Sequence, residues 1–190
     1  MKVEIISEET PFEEFFHINK AHLRFEHFDG TMSKEVSRFS IQKSDAIAVL
    51  VYHITRIAYI LVKQFRYPPY HHHVDPWLTE IVAGGKEDGE SDIDAAKREV
   101  KEEIGYTPLK LSKITTCYVS PGILNERVAI FLAEVDDTTK VSNGGGAKGE
   151  DEDIELIWIQ KDDALQWLES QAVGDAKTII AIQWHLNREP

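Results

Sequence analysis

Short blocks of apolar or alternating residues fill the first two-thirds of the chain, and the spacing turns helical at the end. HLRFEHFDG (22–30) and SKEVSRFSIQ (33–42) alternate, are rich in aromatics and flank Asp29-Gly30, which predicts an antiparallel hairpin. AIAVLVY (46–52) and AYILVKQF (58–65) are short, β-branched and apolar throughout, as core strands are. RYPPYHHHVDP (66–76) predicts a loop, because Pro68 and Pro69 neither continue a strand ladder nor suit a helix interior. Three more strands are predicted in LSKITTCYVS (111–120), RVAIFLAEV (127–135) and DIELIWI (153–159). Two helices follow: DDALQWLESQ (162–171) places Ala164, Leu165 and Leu168 on one face, and AKTIIAIQWHLN (176–187) does the same with Ile179, Ile182 and Leu186.

One helix interrupts the strands, over 91–104. Ser91 caps it, Asp92 and Asp94 suit its first turn, and Gly105 stands where a left-handed residue ends a helix. Ile93, Ala96, Val100 and Ile104 recur at helical spacing and are expected to pack on a sheet. The fold class is therefore α/β (α+β): a mixed sheet with helices packed on it, in a single main domain.

Composition narrows the function. The chain has 190 residues, with 21 basic against 33 acidic side chains and a net charge of −12, which repels nucleic-acid backbones and leaves no basic stripe to bind them. No apolar run approaches the roughly 18 residues of a membrane span, so no membrane association is expected. The opening MKVEIISEETPFEEFF does not resemble a secretory signal, and a cytoplasmic location is the expectation. Cys117 has no internal partner and falls in a strand, which predicts a buried core thiol. His71, His72 and His73 point different ways in an extended chain and are expected in a solvated loop. VSNGGGAKGEDED reads as a flexible surface loop.

The predicted helix carries a conflict. Glu99, Glu102 and Glu103 stand three and four apart at its C-terminal end, where like charges repel and the helix dipole favours cations. Spacing alone is equally that of a solvated acidic face. Hard divalent cations resolve the conflict, since Mg²⁺ takes carboxylate and phosphate oxygens.

The wider pattern is more specific. Counted from Gly84, the segment fits G-x5-E-x7-R-E-U-x-E-E-x-G-U, where U is bulky and apolar: Gly84, Glu90, Arg98, Glu99, Val100, Glu102, Glu103 and Gly105 match, and Tyr106 is an aromatic variant at the last position. By this box the chain resembles the Nudix hydrolases. The resemblance implies an α/β/α sandwich around a mixed sheet over residues 44–190, with residues 1–43 as an N-terminal antiparallel β-hairpin extension that forms a homodimer. It implies Glu99, Glu102, Glu103 and the Ala83 carbonyl as ligands of two or more Mg²⁺ or Mn²⁺ ions, an Arg98–Glu90 pair that holds the loop to the helix, and backbone turns permitted by Gly84 and Gly105.

The flanks SRFSIQ, VKQFRYP, PWLTEIVAG, YVSPG, NERVAIFLAEV and GEDEDIELIWI are similar to the ADP-ribose pyrophosphatase branch of that family. The implied reaction is hydrolysis of ADP-ribose to AMP and ribose 5-phosphate. GDP-mannose or another nucleoside diphosphate sugar is the alternative substrate, and a sensor that binds ADP-ribose without cleaving it is the alternative class. The likeness places Arg66 at the diphosphate or terminal ribose and Glu80 at sugar hydroxyls or the metal site. Pro121 is the branch's marker proline, with Gly122 beside it. Phe28 and Arg38 would reach a base pocket of a neighbouring subunit, while Phe25 is expected to pack in the sheet. The general base is expected on the loop after the late strands: Glu150, with Glu152 as a metal contact, and Glu103 or Glu102 as substitutes.

Overall fold

The computed structural model describes residues 1–146 and 153–188 and divides the chain into two compact units. The first comprises Met1–Ser44 with Tyr118–Arg127, the second Asp45–Cys117 with Val128–Pro190.

In the first unit, β1 (Val3–Glu13), β2 (His17–Phe25) and β3 (Val36–Gln42) form an antiparallel sheet in that order. The expected hairpin is β2–β3, in register from His17 opposite Gln42 to Leu23 opposite Val36. Gly30, at φ +83°, makes the connecting turn, and its N–H donates to the His27 carbonyl. β1 was not expected. Its register slips twice against β2 and every residue in it is exposed, so no buried face imposes a clean alternation on its sequence. The turn after β8 (Lys110–Tyr118) belongs to this unit: Ile41 N–H donates to the Ile123 carbonyl at 2.7 Å and Lys43 N–H to Asn125 Oδ1 at 2.7 Å.

The second unit is built on a mixed sheet. β4 (Ala46–His53) runs parallel to β9 (Arg127–Val135) and antiparallel to β5 (Ala58–Phe65), giving the order β10 (Glu155–Gln160), β5, β4, β9, β8. β4 and β5 pair only next to their turn, from Val51 opposite Ile60 to His53 opposite Ala58. Beyond that they part, and two short strands take the freed edges: β6 (Trp77–Glu80) pairs with β5 and β7 (Val82–Gly85) with β4. Neither is legible in the sequence, because each is only four residues long, β6 follows β5 across the proline-rich segment, and the partner of β7 lies more distant in the chain.

Alternate residues of β4 serve opposite faces. Ile47, Val49 and Val51 face a core shared with Ala96, Val100 and Ile104, whereas Ala48 and Leu50 join Ala164, Ala181 and Ile182. Helix α2 (Asp92–Glu99) therefore covers one face, and α3 (Ala164–Ser170) and α4 (Ala176–Leu186) the other, as an α/β/α sandwich. Burial on both sides explains the unbroken apolar runs of β4 and β5.

Several expectations need correction. Residues 67–71 are a short helix, α1 (Tyr67–His71), because prolines in the first turn lack only an N–H that has no helical acceptor there. Leu165 is 52% exposed; Ala164 and Leu168 pack as expected, and Trp167 packs beside them. Cys117 is half-buried at the rim of the core. Among the described residues no helix is long and apolar enough to cross a membrane.

Candidate metal and diphosphate site

The acidic helix begins as expected: the Ser91 hydroxyl accepts from Asp94 N–H at 3.1 Å. It does not end as one regular helix, because α2 widens into a π turn over Val100–Ile104 and closes at Gly105 with φ +77°. Such widened turns occur often at functional sites.

The face turned to the sheet is the run Ala96, Glu99, Val100, Glu103, Ile104, spaced three and four apart. Helical periodicity thus carries two carboxylates into the interior, with Glu99 at 9% and Glu103 at 2% exposure. Ile93, expected to pack, shares this spacing but stands in the first turn and is 52% exposed. Glu102 leans outward, its side chain 37% exposed.

Arg98 organises the acids. Its five donors are all committed: Nε and Nη2 grip Glu90 at 3.0 Å each, Nη2 also reaches the Gly85 carbonyl at 3.0 Å, and Nη1 donates to Glu99 at 2.8 Å and Glu102 at 3.1 Å. The expected Arg98–Glu90 pair is present, and the hydrogen bonds from Arg98 hold the Glu90 carboxyl below its ordinary range. The same bonds, led by those to Glu90 and opposed by partial burial, push the guanidinium still higher. Lys86 Nζ pairs with Asp92 at 2.7 Å and braces the loop from the other side.

Gly84 has a sharper purpose than a permissive turn. It lies in β7 opposite Ile47, and a Cβ there would occupy the space of the Glu99 carboxylate. Gly105 does need its left-handed backbone, and a Cβ on it would strike the Ser142 carbonyl and the Gly144 amide. The glycine run, read from sequence as a loose loop, is bound here: Gly145 N–H donates to the Glu103 carbonyl at 2.9 Å and Gly146 N–H to the Glu102 carbonyl at 3.2 Å. Carbonyls at a helix end have no helical donors, and this strap supplies two. Gly105→Ala is therefore expected to cost about 2 kcal/mol or more of stability, from a left-handed alanine pressed on backbone atoms. Urea denaturation measures it, and an unchanged midpoint would mean that the strap yields freely.

The donor set suits a hard divalent cation: carboxylate oxygens on one helix end, two of them buried, with a side-chain-free wall at Gly84. Among the described residues no three His, Cys, Asp or Glu side chains converge on a single ion-sized point, and Arg98 balances Glu99 and Glu102. Ala83 stands in β7 opposite Ala48, next to Gly84.

A second polar cluster sits in the same unit. Arg66 Nε donates to Glu80 Oε2 at 2.6 Å, and Lys177 Nζ lies 3.5 Å from Glu80 Oε1. Glu80 is thus engaged on both oxygens. Lys177 and its partner Asp175 went unnoticed in the sequence; Asp175 and Thr178 form a readable helix cap, but the pairing of Lys177 with a carboxylate far upstream leaves no local signal.

The remaining predicted residues lie in the first unit. Phe28 is 98% exposed, the Arg38 guanidinium stands 5.9 Å from the centre of the Phe25 ring, and Pro121 and Gly122 are exposed in the turn closed by Leu124 N–H on the Ser120 carbonyl. Phe25 packs in its sheet as expected, edge-on to His27. Glu150 and Glu152 lie outside the described residues.

Comparison with known proteins bears on all of this. The NUDIX domain model matches residues 44–181. ADP-ribose pyrophosphatase of Escherichia coli K12 is 37% identical over 182 residues, spanning 96% of this chain and 87% of that protein. ADP-ribose pyrophosphatase of Haemophilus influenzae is 34% identical over 185 residues, 96% of this chain and 85% of the relative. GDP-mannose pyrophosphatase of Cronobacter sakazakii is 29% identical over 184 residues, 96% and 94% of the two chains. A crystal structure of an ADP compounds hydrolase superimposes with a TM-score of 0.76 at 20% identity, covering 98% of this chain and 94% of that one, which is a likeness of fold.

Proposed function

This chain belongs to the Nudix family, and from that premise we propose that it hydrolyses the pyrophosphate bond of ADP-ribose to AMP and ribose 5-phosphate. The observation that carries the reading is the burial of Glu99 and Glu103 on the sheet-facing stripe of the box helix, with Gly84 leaving room for the Glu99 carboxylate. The identity of 37% and 34% to two ADP-ribose pyrophosphatases across most of the chain supports the substrate.

Glu99, Glu102, Glu103 and the Ala83 carbonyl would hold Mg²⁺ or Mn²⁺, two or more ions, with Glu152 as a further contact. When bound, such ions neutralise charge on the phosphate oxygens and lower the pKa of a coordinated water.

The chain's own residues do the rest. Arg98 keeps the box loop on the helix and fixes the carboxylates of Glu99 and Glu102. Arg66, with Nε spent on Glu80, offers its Nη edge to diphosphate oxygens, a geometry that suits a planar guanidinium. Glu150 takes the proton of the attacking water as the new P–O bond forms and the bridging P–O bond breaks; Glu103 or Glu102 is the substitute base. Phe28 and Arg38 would reach the base pocket of a neighbouring subunit, and Pro121 with Gly122 would contact substrate. We read the protein as a cytoplasmic homodimer in which β1 to β3 provide the contact.

The test is AMP release from ADP-ribose, run beside GDP-mannose, ADP-glucose, UDP-glucose and NADH, with Mg²⁺ and with chelator. Metal-dependent turnover strongest on ADP-ribose is the expected result. A preference for GDP-mannose would move the enzyme to that sister group, and binding without turnover would make it a sensor.

A further inference from the structure

Glu80 is almost fully buried, at 4% exposure, and is hydrogen-bonded by one cation and ion-paired with a second from a different element. From the residue after β5, Arg66 Nε reaches Oε2 at 2.6 Å; from the first turn of α4, Lys177 Nζ stands 3.5 Å from Oε1. Lys177 is itself largely buried and is shared with Asp175 at 2.5 Å. Asp175 caps α4, accepting from Thr178 N–H at 2.8 Å and its hydroxyl at 2.7 Å. Thr178 Oγ1 in turn accepts from Ile81 N–H at 2.9 Å, which ties the residue after Glu80 to the start of α4. A buried ammonium is costly unless carboxylates compensate it, and two do so here. On the other side of Glu80, the two Nη groups of Arg66 make no hydrogen bond among the described residues.

We propose that Lys177 is a positioning residue for substrate binding: by occupying Oε1 of Glu80 it confines Arg66 to a single Nε contact and keeps the Nη edge of the guanidinium open to a diphosphate. The proposal rests on the reading of Arg66 as the diphosphate contact. Its physical content is a competition. A carboxylate with one bare oxygen is the preferred partner of a guanidinium fork, which closes on it with two parallel hydrogen bonds. Without Lys177, Arg66 would rotate its Nη donors onto Glu80 and withdraw them from the substrate. A local pairing of Lys177 with Asp175 alone would have no such effect.

The experiment is a double-mutant cycle on Lys177 and Arg66, read as KM and kcat for ADP-ribose. Lys177→Met is expected to raise KM about tenfold, the loss of roughly one charge-assisted hydrogen bond, with kcat within about twofold of wild type. Lys177→Arg restores KM. In the Arg66→Ala background Lys177→Met adds nothing, because residues acting through one contact are non-additive. Asp175→Asn keeps an acceptor for the Thr178 amide and leaves Lys177 to Glu80; it is expected to lower the melting temperature without moving KM, which separates positioning from support of the fold. Lys177→Gln replaces the Met variant if that does not fold.

An unchanged KM in folded Lys177→Met or Lys177→Gln, or an equal rise in the Arg66→Ala background, overturns the proposal. Failure of the functional reading looks different, since the wild-type protein would then not hydrolyse ADP-ribose. The same cycle would be read on whichever nucleoside diphosphate sugar it does hydrolyse, or as the Kd for ADP-ribose by calorimetry if it hydrolyses none. A Lys177 variant that binds like wild type in either case overturns the proposal as well.

Discussion

Glu103→Gln is expected to lower kcat for ADP-ribose by about 10³-fold, while the melting temperature of the metal-free protein stays the same or rises. The two directions have one cause. Glu103 sits on the buried stripe of the box helix, in its last turn, with Glu99 four residues before it. A negative charge there opposes the helix dipole and repels its neighbour, so a neutral amide of the same shape relieves both. The same loss of charge would remove a hard oxygen donor from the proposed metal site. AMP release in Mg²⁺ gives kcat, and thermal unfolding in chelator gives the stability. Turnover within threefold of wild type would remove Glu103 from the metal assignment; a large drop in melting temperature would mean that its charge supports the fold.

Gly84→Ala is expected to cost about 10²-fold in activity with little change in stability, since small misplacements of a reacting group carry costs of that order. The new methyl group would occupy the space of the Glu99 carboxylate. What it meets is the tip of a flexible side chain, so the chain escapes the clash by swinging Glu99 aside, away from the position that Gly84 leaves open for it. At Gly105 the obstructing atoms are backbone and no such escape exists, which is why the two glycines of one motif respond in opposite ways: one loses activity, the other stability. Kinetics and urea melts on the two alanine variants together test this, and a Gly84→Ala enzyme with wild-type kcat would show that Glu99 tolerates displacement.

Both variants fall in the part of the chain where local sequence is most informative. Ser91, the stripe from Ala96 to Ile104 and Gly105 mark a helix whose start, buried face and end are all set within one segment, and the box spacing around Arg98 brings Glu90 to it through one short loop. The same locality explains β4 and β5, whose apolar runs are long enough to read unaided. Where the reading slipped, the deciding contacts are distant. Ile93 has the right residue type and the right helical spacing but stands in the first turn and is exposed, and which turns of the helix are covered only the tertiary packing decides. The glycines at 144–146 have the composition of a loose loop, and what holds them is a pair of carbonyls left without donors by the π turn forty residues earlier in the chain, roughly.

The sequence by itself determined most of the longer strands and helices in their order, though not β1, α1, β6 or β7, together with the mixed sheet and its covering layers, the family, and the set of carboxylates proposed as metal ligands, because periodicity, caps and the box are each written within a few turns of chain. The tertiary structure alone decided which carboxylates are buried, why Gly84 has no side chain, and how Glu80 divides itself between Arg66 and Lys177. These depend on groups brought together from β4, β7 and the box helix in the first two cases and from the end of β5, β6 and α4 in the third, and the free energy of a buried charge is set by what surrounds it in space, whatever stands beside it in the chain.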